Sequence, residues 1–353
     1  MLSYILRRLL LMIPTLFGIT LITVGFMLAA PGKPGAEMEQ VQTGGGGTKL
    51  QSSKALGKAM EEMGFFDEKG EKKWFWDAWY HWTFDKFMRL DLGTSIKYNR
   101  PVAELVWDRM KVTLLLNAIS LFLIFLFSIP IGIYSSTHQG TVGDGAQSTL
   151  LFLMYSMPSW WLATMLILFL SSTIMPDLVA GLGWWPDAVD WPVLPSIGLG
   201  SEGSERLSLI PYLWDKAQHL VLPITALTVG GFAAISRYMR SGMLETIRQD
   251  YIRTARAKGV AEHDVLYTHA LRNALIPIVT LAGGLLPGMI GGSIIIEMIF
   301  TIDGMGKLAF EAILNRDYLV VMANTTAAAI LTLIGLLVTD LLYVFVDPRI
   351  SLD

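Results

Sequence analysis

Three glycine-rich strings, five histidines and a thin scatter of carboxylates are the residues whose types could support chemistry, and their spacing builds no catalytic centre. Gly44–Lys49 lacks the spacing of a phosphate-cradling loop. Gly198-Leu199-Gly200-Ser201-Glu202-Gly203 has the glycine spacing of a dinucleotide fingerprint without the strand that should precede it, and Gly304-Met305-Gly306-Lys307-Leu308-Ala309 matches only the looser form. His81, His138, His219, His263 and His269 nowhere form the helical His-Glu-x-x-His pair of a hydrolytic zinc site. Cysteine is absent, which removes disulfides, thiolate metal sites and a thiol nucleophile. The expectation is a non-enzymatic chain that binds no nucleotide, metal or other cofactor of its own.

The most informative polar residues are consecutive: Asp250-Tyr251-Ile252-Arg253-Thr254-Ala255-Arg256-Ala257-Lys258-Gly259. Ala, Arg and Lys favour helix, and Gly259 suits the left-handed position that ends one. A second helical run, Glu262–Asn273, follows, with Pro277 soon after. What such residues offer is mechanical: a short basic helix tethered at both ends can carry force from a soluble partner. Composition alone leaves an ordinary basic loop open. Two acids lie inside apolar runs, Glu297 after Ile294-Ile295-Ile296 and Asp340 in the last one. A lone carboxylate in hydrocarbon costs about 2–3 kcal/mol unless it faces protein or water. Both are therefore candidates for a pathway or gate, with a helix-end carboxylate reaching the headgroups, or one paired locally, as the alternative. Gly284, Gly288 and Gly292, spaced by four, put small residues on one helical face and suit close helix packing, within the chain or against a partner.

The elements that must position these residues are membrane helices. Of 353 residues, 53% are hydrophobic and 16% charged, against about 25% charged in ordinary soluble domains; mean hydropathy is +0.49. Runs near Leu9–Ala30, Val112–Tyr134, Leu150–Ile174, Leu220–Ile235, Ala274–Phe300 and Leu319–Val346 are long enough to span a bilayer. The fold class is thus an all-α integral membrane protein with about six spans. The first run, preceded by Arg7 and Arg8, exceeds the ~7–15 residues of a signal-peptide core and is taken as a retained helix. Residues 1–30 hold the N-terminus and first span, 31–111 an external segment, and 112–353 the remaining spans with a loop over 237–273. That loop carries seven Arg and Lys against four acids, while Met175–His219 carries two against six. The positive-inside rule puts the first in the cytoplasm and the second outside, with both termini cytoplasmic. In the external segment, Leu50, Leu56, Met60 and Met63 share a helical face, and Trp74, Trp76, Trp79, Tyr80 and Trp82 crowd together. The crowd reads as an anchor in the headgroup layer or a docking surface for an external partner. A second external loop, with Trp184-Trp185-Pro186 and Trp191-Pro192, is too proline-rich for regular helix. A net charge of -3 gives no footprint for nucleic acid.

Thr254-Ala255-Arg256-Ala257-Lys258-Gly259 and His269-Ala270-Leu271-Arg272-Asn273-Ala274-Leu275-Ile276-Pro277 resemble the loop by which ABC importer permeases couple to their ATPase, in the form typical of the dipeptide, oligopeptide and nickel permeases. Further matches are Arg7-Arg8-Leu9-Leu10, Asp91-Leu92-Gly93-Thr94-Ser95, Asn315-Arg316-Asp317-Tyr318 and Asp347-Pro348-Arg349. The long first external segment resembles the B-type permease, although Gly44–Trp82 departs from a typical dipeptide permease. The resemblance implies a type I importer architecture in the bacterial inner membrane and alternating access driven by ATP. It implies a C-type permease as heterodimer partner, two ATPase subunits using ATP and Mg2+, and an extracytoplasmic binding protein. Tyr251, Arg253, Thr254, Ala255, Arg256, Ala257, Lys258, Gly259 and His263 would contact the ATPase. Gly284, Gly288 and Gly292 would be candidates for packing on the partner permease. The implied cargo is di- or oligopeptides, with nickel or a peptide-like antibiotic as alternatives. The rivals from other classes are a secondary transporter, which would need ion sites in the membrane, and an intramembrane enzyme, which would need a nucleophile–base or metal pair in the spans, and none appears there.

Overall fold

The computed structural model describes residues 2–30, 64–66, 71–171, 194–290 and 292–346, with backbone alone for 2, 286–290 and 343–346. The expected helix near Leu50–Met63, the Gly44–Gly47 turn and the Trp184–Pro192 loop lie outside the described residues.

Among the described residues the secondary structure is helical, apart from two isolated bridges, Phe66–Lys72 and Thr94–Pro101. Helix α1 (Leu2–Ala29) is followed by α2 (Phe75–Tyr80), which continues into a π-helical turn, His81–Phe87. Then come α3 (Val102–Thr137), α4 (Val142–Ser156), α5 (Ser159–Leu170), α6 (Leu209–Ile247) and α7 (Asp250–Ala257). The chain closes with α8 (Leu271–Ile290), α9 (Ile294–Ile299), α10 (Met305–Leu314) and α11 (Tyr318–Val346). Among the described residues five helices are long and apolar enough to cross a bilayer, and α4 with α5 makes a sixth span if the pair counts as one, bent by 101°.

Three spans differ from the sequence expectation, each for a local reason. The third is a broken pair because Pro158 disfavours helical backbone at the preceding residue, and Met157 is extended at φ -82°, ψ 123°. The fourth, expected only over Leu220–Ile235, is a 39-residue helix about 58 Å long, well beyond the ~30 Å of hydrocarbon. Its polar ends hid it from a hydropathy count. The fifth stops at Ile290, and Gly292 sits at φ +75° before α9 begins. At the other boundary, residues 102–111 belong to α3 rather than to the segment before it. Their charges find neighbours: Arg100 pairs with Glu104 at 2.6 Å, Lys111 with Asp108 at 2.9 Å, and Arg109 with Asp303 at 2.6 Å.

Small residues let α3 and α6 touch. A Cβ on Gly132 would stand 2.5 Å from that of Met239, and one on Gly231 2.7 Å from Ile124 Cδ1. Between them Ser128 donates to the Phe232 carbonyl at 3.0 Å. Against α11, Gly283 makes the corresponding contact: its carbonyl accepts from Thr339 Oγ1 at 2.5 Å, and a Cβ there would meet Thr339 Cγ2 at 2.5 Å.

The aromatic stretch divides. Trp82 is fully buried with Phe65 beside it, and Trp79 donates to Thr20 of α1 at 3.1 Å, whereas Trp74 and Trp76 are exposed. Close by, two strings far apart in sequence meet. Asp317, 1% exposed, accepts from Ser95 Oγ at 2.6 Å and from the backbone N–H groups of Ile96 and Lys97 at 3.0 and 3.4 Å. The carboxylate thus fastens the turn before α3 to the start of α11. Beside it Lys97 pairs with Glu311 at 2.7 Å. Burial raises the Glu311 carboxyl, but Lys97 and Tyr98 outweigh it and hold the group below its usual value, so this contact stays charged at neutral pH.

Candidate functional site

At the opposite end of the bundle lies α7, eight residues between two long helices. Its sequence is amphipathic at a period near 3.6: Ile252 and Ala255 face inward, and Tyr251, Arg253, Thr254, Arg256, Ala257 and Lys258 face out. The inward pair packs with Met239 and Met243 of α6, with Val265 and Ala270 of the helical turns after α7, and with Ala274 of α8. Burying Ile252 completely contributes about 1.5–3 kcal/mol, which makes α7 part of the bundle rather than a dangling loop.

Both ends of α7 are fixed. Asn273 donates to the Tyr251 hydroxyl at 2.6 Å, tying the first turn to α8. Thr254 returns its hydroxyl to the Asp250 carbonyl at 2.9 Å. The helix ends at Gly259, whose φ is +79° and whose N–H donates to the Arg256 carbonyl at 3.0 Å; the Val260 N–H returns to Ala255 at 3.3 Å. The short helical turn Glu262–Asp264 and a π-helical turn, Val265–Ala270, then lead into α8.

Arg256 is not simply a surface cation. It reaches across the glycine turn to Glu262 with Nε at 3.0 Å and Nη2 at 2.6 Å, a bidentate brace. That carboxylate raises the guanidinium further above its ordinary value. The cations most directly presented outward are therefore Arg253, which meets Asp250 at 3.3 Å, and Lys258. His263 lies against Tyr267 with ring centroids 4.7 Å apart and the rings tilted by 31°.

The two acids expected inside apolar spans both have partners within the chain; Glu297 lies in α9, beyond the end of the fifth span. Glu297, 2% exposed, accepts from Thr113 Oγ1 at 3.1 Å and from the Lys307 N–H at 2.8 Å. Lys307 lies in the first turn of α10, so the carboxylate caps a neighbouring helix. Gly292, Gly304 and Gly306 close around it: a Cβ on Gly292 or Gly304 would fall 2.5 Å from the carboxyl group, and one on Gly306 3.0 Å from Oε2. Asp340 stands 2.8 Å from Arg8 Nη2 of α1. For both residues this is the locally paired arrangement.

The four-residue glycine spacing does not make one continuous face. Gly284 has open space where a Cβ would be, and Gly292 lies beyond the helix against Glu297. The surroundings of Gly288 lie outside the described residues.

One polar cluster escaped sequence reasoning. Asp144 of α4, 4% exposed, accepts from Ser135 at 2.5 Å, from the Gly140 N–H at 3.1 Å and from Arg240 Nη2 of α6 at 2.7 Å. The loop Ser135–Ser148 gave no orientation signal because it has no Lys or Arg; its acid draws one from another helix instead.

Residues 128–352 match the family described as binding-protein-dependent transport system inner membrane component. The oligopeptide transport system permease protein AppB of Bacillus subtilis (strain 168) is 36% identical over 99% of this chain and 100% of its own length. The dipeptide transport system permease protein DppB of Escherichia coli (strain K12) is 33% identical over 99% of each chain. Among solved structures, an inward-facing form of the MetNI methionine ABC transporter overlays 70% of this chain and 98% of its own at 20% identity and TM-score 0.47. The chain is a multi-pass member of the family of inner membrane components of binding-protein-dependent transport systems.

Proposed function

We propose that this chain is one half of the translocation pathway of an ATP-driven importer of di- or oligopeptides. The observation that carries the mechanism is α7, a helix sewn into the bundle by Ile252 and Ala255 while its basic face is left outward. A soluble ATPase gripping that face would move α6 and α8 together, because α7 shares one buried cluster with both and is bonded to α8 through Tyr251 and Asn273. The names of the relatives support peptide cargo over nickel or an antibiotic. ATP and Mg2+ would be used by the ATPase pair, with a C-type permease completing the pathway and a binding protein delivering cargo to the end that carries Asp317. The open side of Gly284 suits close approach of that second permease.

The test is uptake by proteoliposomes holding the complete assembly. Peptide accumulation should require ATP and the binding protein together; accumulation driven by an ion gradient alone would favour the secondary transporter instead.

Orientation has its own check. The chain has no cysteine, so Lys258→Cys creates a unique thiol. A membrane-impermeant maleimide should label it in inside-out vesicles and leave it unlabelled in intact cells, in keeping with the seven basic residues of its loop. Labelling from outside would reverse the topology and remove the coupling role.

A further inference from the structure

Between α3, α4 and α6, on the half of the bundle that carries α7, lies a cavity of about 500 Å³ lined by Ser135, Gln147, Ser148, Arg237, Arg240 and Ser241, among others. Its charged lining residues are two arginines. One of them is balanced: Arg240 pairs through Nη2 with Asp144, although its buried Nε has no hydrogen-bond partner among the described residues. The other has no carboxylate partner among the described residues. Arg237 lies instead over the rings of Phe152 and Tyr155 of α4, at 5.6 and 5.8 Å from their centroids. Aromatic stacking fixes a guanidinium without neutralising it. Gln147 already donates to the Ile131 carbonyl and Ser236 to Phe232. Those hydroxyl and amide protons are spent, as is that of Ser135 on Asp144, so the strong donor left in the lining is the Arg237 guanidinium, with one net positive charge.

We propose that this cavity binds a phosphate oxyanion, held by the Arg237 guanidinium. A phosphate offers several acceptor oxygens, which suits a forked guanidinium. Two sources share that chemistry: the headgroup of an anionic phospholipid and free phosphate from solution. The exposed apolar side chains Leu150, Phe152 and Leu153 of α4 run beside the site and give acyl chains a surface. Basic pockets between membrane helices commonly take such headgroups.

The experiment uses the full chain, purified in detergent with its copurifying subunits, and reads bound lipid by native mass spectrometry. Phosphatidylglycerol and phosphatidylcholine are added separately, and inorganic phosphate is titrated as a competitor. Phosphatidylglycerol should be retained over phosphatidylcholine, and Arg237→Gln should weaken that retention by about tenfold, the scale of one charged hydrogen bond. Arg237→Lys should keep most of it, which guards against mere misfolding of the glutamine variant. Competition by phosphate that vanishes in Arg237→Gln would assign the site to the free anion. Equal retention of both lipids with no phosphate competition, or equal binding by wild type and Arg237→Gln, would overturn the proposal.

Discussion

Replacing Gly259 by proline should reduce ATP-driven uptake to background while the protein remains in the membrane. Gly259 has φ +79°, and proline is locked near -65°. The substitution also removes the N–H that donates to Arg256 at 3.0 Å. Helical turns on either side would have to re-route, and the Arg256–Glu262 brace that spans the turn would separate. The spans themselves contribute none of these contacts, so insertion should be preserved. Asparagine provides the control. No atom lies within 4 Å of a Cβ built at this position, and Asn tolerates the left-handed region at a cost of about 1 kcal/mol. Gly259→Asn should therefore keep most uptake. Full uptake by Gly259→Pro, at wild-type abundance, would sink the view that α7 transmits force.

That contrast depends on geometry which the sequence disclosed only in part. The helix Asp250–Ala257 and its glycine stop were legible because they are written locally, in helix-forming residues and one left-handed position. Most spans were legible because hydrocarbon demands uninterrupted apolar length. The parts that stayed hidden are tertiary. Nothing in the string Arg256-Ala257-Lys258 announces that Arg256 braces Glu262 while Lys258 points outward. Asp317 looked like one letter of a motif, yet it accepts from a turn more than two hundred residues earlier. Asp144 and Arg240, on α4 and α6, were invisible for the same reason. The bend at Pro158 lay within reach, since a proline in the middle of an apolar run is a local signal. The polar ends of α3 and α6 were not, because hydropathy measures the membrane and not the helix.

Replacing Glu297 by alanine should destabilise the folded protein strongly. The carboxylate accepts from Thr113 Oγ1 and the Lys307 N–H in a site only 2% exposed, and Thr113 Oγ1 in turn accepts from the Met305 N–H at 2.8 Å. Losing the acceptor would strand at least two buried donors at about 1–3 kcal/mol each. It would also leave a gap shaped by Gly292 and Gly304, which have no side chains to fill it. Glutamine keeps one acceptor oxygen and the same volume, so Glu297→Gln should recover part of the loss. Gly304→Val should resemble the alanine variant from the other direction, because its Cβ would fall 2.5 Å from the Glu297 carboxyl carbon. The measurement is thermal unfolding of the purified chain, paired with uptake normalised to folded protein. Two outcomes separate the roles of this acid. If Glu297 is a cap joining α9 to α10, stability falls while uptake per folded molecule is retained. If it lines the route of the cargo, uptake per folded molecule collapses in Glu297→Gln even where stability recovers. The glycines favour the first outcome: three of them enclose the carboxyl group so tightly that passing cargo could reach it only if α9 and α10 moved apart.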